Sequence, residues 1–148
     1  MEEGLEDAMV HQESVKPLVM VVDDEECVRK LCRRALEGVG FRVIEARDGE
    51  EALGLIDEAT SLDLLCADMN MPGLAGDEMA QRFLLMQPDL KVLYVSGYVD
   101  SLFEQRQTLW DGEAFLAKPF TSNGLLEAVS LLLYGRTDLS LLGAHACS

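Results

Sequence analysis

Asp23 and Asp24, followed by Glu25 and Glu26, come directly after the apolar run Leu18-Val19-Met20-Val21-Val22. Asp68 follows a second apolar run (62–67) and precedes Met69-Asn70-Met71-Pro72-Gly73; Ser96-Gly97 follows a third (90–95), and Lys118-Pro119 a fourth (114–117). One at a time these are ordinary residues. An Asp pair after a strand caps a helix, an Asp ahead of Pro-Gly makes a turn, and a single lysine is a solvated charge. Together they are chemistry. Three carboxylates at one edge repel, a pair about 4 Å apart costing on the order of 4 kcal/mol at an effective dielectric near 20. A cation must offset that, and an oxygen-only donor set points to Mg2+ or Mn2+ over zinc. With the metal and Lys118 cancelling charge, a carboxylate can attack phosphorus and become an acyl phosphate. Lys118 and Ser96 would then hold phosphoryl oxygens.

Such residues need elements that deliver them to one edge. The uniformly apolar run 18–22 suits a strand buried on both faces of a parallel sheet. Val28, Leu31, Cys32, Ala35, Leu36 and Val39 follow at helical spacing, and Gly40 ends the helix. The alternation repeats: strand 41–46, helix from about 50 to 59, strand 62–67, helix 77–86 stopped by Pro88, and strand 90–95. An irregular helix over 101–110, a short strand 114–117 and an apolar helix 121–134 ended by Gly135 complete it. Five strands alternating with five helices predict an α/β fold, a three-layer α/β/α sandwich around a doubly wound five-stranded parallel sheet with right-handed crossovers. Ligands in such sheets bind beyond the carboxyl ends of the strands, where the strand order reverses.

The composition agrees with one domain of ordinary size. Of 148 residues, 49% are hydrophobic and 26% charged, enough for a core. We expect an acidic disordered tail over 1–15, the domain over 16–135 and a C-terminal tail over 136–148. Leu139, Leu141 and Leu142 of that last tail could dock or support a homodimer. A net charge of −15 repels DNA and anionic lipid, so no direct nucleic-acid binding is expected. The first 14 residues lack the basic-then-apolar order of a signal peptide, and no apolar run nears the roughly 20 residues that span a bilayer, so no membrane insertion is expected. Cys27, Cys32, Cys66 and Cys147 form no C-x-x-C pair, and Cys27, Cys32 and Cys66 have no histidine nearby. They read as reduced thiols in a cytoplasmic protein.

The stretches Val21-Val22-Asp23-Asp24-Glu25, Asp68-Met69-Asn70-Met71-Pro72-Gly73, Val95-Ser96-Gly97-Tyr98 and Lys118-Pro119-Phe120 resemble the receiver domains of bacterial-type two-component response regulators. Order and spacing match over about residues 17 to 134. The resemblance implies the flavodoxin-like, CheY-like sheet order 2-1-3-4-5. It implies Asp68 as phosphoacceptor, with Asp24, Asp68 and the backbone carbonyl of Asn70 as Mg2+ ligands and Asp23 acting through water. Lys118 would contact the phosphoryl group, across a cis peptide to Pro119. Ser96 would be the switch hydroxyl and Phe115 the aromatic switch residue, which without a hydroxyl must act by ring packing. Asn70 and Tyr98 would flank the phosphoryl group and tune its lifetime. The Val-Ser-Gly-Tyr stretch looks most like receivers attached to hybrid histidine kinases.

The same resemblance implies partners: a histidine kinase or histidine phosphotransfer protein as donor, and a downstream protein on the face of the fourth helix, fifth strand and last helix. It implies no enzyme beyond catalysis of the domain's own phosphorylation and slow dephosphorylation. Rival readings fit less well. A flavin phosphate would meet carboxylates in the Asp-Asp-Glu-Glu loop. A haloacid-dehalogenase-like phosphohydrolase needs a second Asp two residues after its nucleophile, where this chain has Asn70. A pseudo-receiver scaffold usually loses an acid or the lysine, and this chain keeps both. No output domain is legible after Tyr134, so the domain stands alone or was cut from a longer protein.

Overall fold

The structure, a computed structural model, describes residues 16–56, 60–97 and 112–135. Its elements in chain order are β1 (Leu18–Val22), α1 (Glu26–Gly38), β2 (Arg42–Ala46), α2 (Gly49–Leu55), β3 (Leu64–Asp68), α3 (Gly76–Met86), β4 (Lys91–Ser96), β5 (Glu113–Ala117) and α4 (Ser122–Tyr134). The helix expected over 101–110, both tails, Tyr98 and Cys147 lie outside the described residues.

The apolar runs build the sheet because they can be buried on both faces. All five residues of β1 and of β3 are buried. Successive side chains point to opposite sides of a strand, so each run feeds two cores. Met20, Val22, Leu65, Ala67, Val92 and Tyr94 pack with Ala52 of α2 and with Met79, Ala80 and Phe83 of α3. Val19, Val21, Leu64, Cys66, Leu93 and Val95 pack with Cys32 and Leu36 of α1 and with Leu125, Leu126 and Val129 of α4. Three layers result, as expected.

Strand order is β2-β1-β3-β4-β5, and all pairs are parallel. The register decides where the site falls. Val22 pairs with Ala46 on one side and Ala67 on the other, Asp68 with Val95, and Ser96 with Ala117. The carboxyl ends are therefore level across the sheet, and the residue following each one reaches a common edge. Order reverses between β1 and β3, the switch point of a doubly wound sheet.

Two boundaries differ from the sequence reading by more than one residue. β3 runs Leu64–Asp68, starting later than position 62 and including Asp68 itself. Its lead-in is used otherwise: the Leu62 N–H donates to Gln87 Oε1 at 2.8 Å and the Asp63 N–H to the Leu18 carbonyl at 2.9 Å. α2 ends at Leu55, and positions 57–59 of the expected helix lie outside the described residues. Ile56 turns to extended backbone and stays buried, so the core contact outweighs continuation of the helix. The Lys118–Pro119 peptide is cis, as the resemblance implies. Cys32 and Cys66 are buried and Cys27 is exposed, all as free thiols. A hydrogen bond with Cys32 and complete burial push the Cys66 thiol well above its ordinary pKa, which marks it as a packing residue.

Candidate functional site

The loop after β1 is built around Asp23. Its N–H donates to the Ala46 carbonyl at 3.1 Å, which extends the β1–β2 ladder by one residue. Its Oδ1 accepts the Glu25 N–H at 2.9 Å, a tight turn that leads into α1. The Asp23 carbonyl accepts from Arg29 Nη1 at 2.7 Å. Arg29 is in turn set by Glu45 of β2 at 3.4 Å, and Glu45 also takes Arg33 at 2.6 Å. Asp23 is buried, while Asp24 and Glu25 are exposed.

The acceptor loop is held by its own aspartate. Asp68 is only 4% exposed, and its Oδ1 accepts the Asn70 N–H at 3.0 Å. Asn70 Nδ2 donates to Ser96 Oγ at 3.0 Å, and the Met69 N–H donates to the Val95 carbonyl at 2.9 Å. β3 and β4 are thus tied together just beyond their ends. Lys118 enters from the loop after β5, where its N–H donates to the Ser96 carbonyl at 2.9 Å. Its Nζ lies 2.9 Å from Asp23 Oδ2, 3.3 Å from Asp68 Oδ2 and 3.4 Å from Glu25 Oε1.

The electrostatics follow from that geometry. Burial raises the Asp23 pKa above its ordinary value; Lys118 opposes this and the Asp68 charge adds to it. Burial alone would lower the Lys118 pKa, but the hydrogen bonds and charges of Asp23 and Asp68 outweigh it and raise it. One ammonium therefore faces three carboxylates, with Asp24 beside them. Carboxylate oxygens of Asp23, Asp24 and Glu25 lie within 4.8 Å of one another. The donor set is all oxygen and carries surplus negative charge, which fits a hard divalent cation such as Mg2+.

Asp23, Asp24, Asp68, Asn70, Ser96 and Lys118 of the sequence reading thus stand at one edge. Two residues were not singled out there. Glu25 is a third carboxylate on Lys118, and the run Asp-Asp-Glu-Glu was its only signal. Tyr94 is buried and stacks on Phe115, ring centroids 5.3 Å apart and planes tilted by 32°. The two face each other across β4 and β5. Phe115 is itself only partly buried.

Comparison with known proteins is consistent with this site. A family model described as "Response regulator receiver domain" matches residues 19–130. The sensor kinase CckA of Brucella abortus is 34% identical over 116 residues, 78% of this chain and 12% of that protein. The response regulator MprA of Mycolicibacterium vanbaalenii is 36% identical over 116 residues, 78% of this chain and 49% of that protein. The chain thus spans half or less of the length of these curated relatives. Among solved structures, the receiver domain of the hybrid histidine kinase CckA superposes with a TM-score of 0.67 at 34% identity, covering 78% of this chain and 98% of that one. The response regulator TrrA of Thermotoga maritima, in complex with Mg2+-BeF, superposes with a TM-score of 0.67 at 31% identity, covering 79% of this chain and 99% of that one.

Proposed function

The chain belongs to the response regulator receiver domain family of two-component systems, and from that premise we propose that Asp68 is its phosphoacceptor, served by Lys118 and Mg2+. The observation that carries the assignment is the Lys118 ammonium poised between Asp23 and Asp68, 2.9 and 3.3 Å from their carboxylates.

A donor's P–N bond (phosphohistidine) or P–O bond (acetyl phosphate) breaks as an Asp68 oxygen forms its own bond to phosphorus. The Asn70 N–H holds Asp68 Oδ1, so the carboxylate cannot turn freely and presents a fixed oxygen to the ligand edge. Lys118 exchanges its contact with Asp68 for a phosphoryl oxygen and offsets the charge that builds there. Ser96 gives up the Asn70 amide and donates its hydroxyl to another phosphoryl oxygen. Asp24, Asp68 and the Asn70 carbonyl would hold the metal, with Asp23 acting through water. Bound Mg2+ or Mn2+ supplies charge neutralisation among these carboxylates and polarisation of the phosphoryl group. The Mg2+-BeF complex of the relative TrrA supports this reading.

The phosphoryl donor is a histidine kinase or a histidine phosphotransfer protein, in keeping with the sensor kinase among the relatives. The output is a change of surface along β5 and α4 and the segment before β5, where a downstream protein docks. Phe115 transmits it by repacking against Tyr94. The domain catalyses only its own phosphorylation and slow dephosphorylation, and acts in the cytoplasm. Among the described residues no helix is long and apolar enough to cross a membrane.

Incubation with acetyl phosphate and Mg2+, read by intact mass, tests the assignment. One phosphoryl group should be added to the parent chain and none to Asp68→Asn. Equal labelling of both chains would remove Asp68 from the role.

A further inference from the structure

Gly76 opens α3 and Gly49 opens α2, and neither has the positive φ that would demand glycine. Glycine is a poor helix former, so its presence there calls for another reason. At Gly76 the reason is space. A Cβ would lie 2.4 Å from the Asp68 carbonyl oxygen, 3.1 Å from its carbonyl carbon and 3.1 Å from Met69 Cα. All three are backbone atoms, with no rotamer that could turn away. At Gly49 a Cβ would lie 2.9 Å from Leu74 Cδ2 and 3.0 Å from Leu74 Cβ. The two helices thus close on opposite ends of the loop 69–75.

We propose that Gly76 is a positioning residue for the acceptor, acting through the Asp68–Met69 peptide, and that Gly49 steadies the far end of the same loop through Leu74. The inference rests on the phosphoacceptor reading of Asp68. A side chain at position 76 pushes α3 off the end of β3 or turns that peptide. The peptide carries the Met69 bond to Val95 and leads into Asn70, whose N–H clamps Asp68 and whose amide holds Ser96. A shift therefore moves the carboxylate, the Asn70 carbonyl and the switch hydroxyl together. Gly54, also in α2, has nothing within 4 Å of a Cβ and is the matched control.

The test compares the parent, Gly76→Ala and Gly54→Ala, each confirmed folded by circular dichroism. A misplaced acceptor should slow acetyl phosphate labelling of Gly76→Ala at saturating Mg2+ by about tenfold or more. Its Mg2+ affinity, read by calorimetry, should fall as well, and the metal-free amide resonances of residues 68–70 should move, while Gly54→Ala matches the parent. A merely structural role lowers the melting temperature and leaves the affinity and rate of folded protein unchanged, and that result overturns the proposal. If Gly76→Ala does not fold, Gly49→Ala decides: labelling should slow by about threefold and recover when Leu74→Ala removes the atoms that the new methyl meets. Parent-like labelling of Gly49→Ala overturns the proposal. A parent chain that takes no label counts against the phosphoacceptor reading instead, and the Mg2+ affinity and metal-free resonances of Gly76→Ala still decide this one.

Discussion

Lys118 makes its closest ion pair with Asp23, 2.9 Å away, yet the energetics of the two differ in sign. Lys118 has its pKa raised by the acids around it, so its contribution to folding is complete below the ordinary lysine value of 10.5 and is lost as pH climbs through the higher folded value. The melting-temperature gap between parent and Lys118→Ala should therefore stay constant from about pH 7 to 9 and shrink only in stronger alkali. A gap that closes near neutrality would assign the effect to another group. Asp23 has its pKa raised by burial, so the fold loses stability as pH rises from 3.8 through the folded value and Asp23 ionises. Asp23→Asn should then raise the melting temperature of the metal-free protein at pH 7 and weaken Mg2+ binding. A fall in both would show that the Lys118 pair outweighs the burial cost. A charge that costs stability and holds a cation is typical of a functional site.

At the scale of elements, the starts of α2 and α4 are fixed by side-chain caps of separable energy, whereas α1 and α3 begin without one. Thr121 caps α4 three residues after Lys118, its Oγ1 accepting the Gly124 N–H at 3.0 Å. Asp48 caps α2 by accepting the Glu51 N–H at 2.8 Å. Thr121→Ala should cost about 1 kcal/mol, or roughly 2–4 °C in melting temperature for a chain of this size. Mg2+ affinity should be unchanged, because the Lys118 backbone bond to the Ser96 carbonyl and the acids around its ammonium place Lys118 independently of the cap. Calorimetry reads both quantities. Lost Mg2+ affinity would show that the start of α4 and the site move as one piece.

At the scale of the whole molecule, a net charge of −15 is a standing repulsion that salt screens and a bound cation relieves locally. Melting of the metal-free chain should shift upward with NaCl, and equally so for the parent and Asp24→Ala. Mg2+ should add a further increment in the parent alone. At 100-fold excess over its dissociation constant that increment is about 2.7 kcal/mol. Equal Mg2+ increments in both chains would reduce the acidic cluster to diffuse charge.

The apolar runs, their alternation with helical spacing and the polar residue after each run are local patterns. From them the α/β class, the five strands and the positions of Asp23, Asp24, Asp68, Ser96 and Lys118 were legible. Local pattern also explains the misses: helical spacing in 50–59 says nothing of the core contact that draws Ile56 out of α2 at Leu55. What only the tertiary structure decided lies across long separations. Lys118 meets Asp68 across 50 positions and Glu25 across 93, and Ser96 meets Asn70 across 26. The same holds for Tyr94 on Phe115 and for the lack of room at Gly76, whose tightest neighbour is a carbonyl on another element. Such distances depend on strand register and on how closely helices approach the sheet. Both are set by packing of the two cores together, and no segment carries them alone.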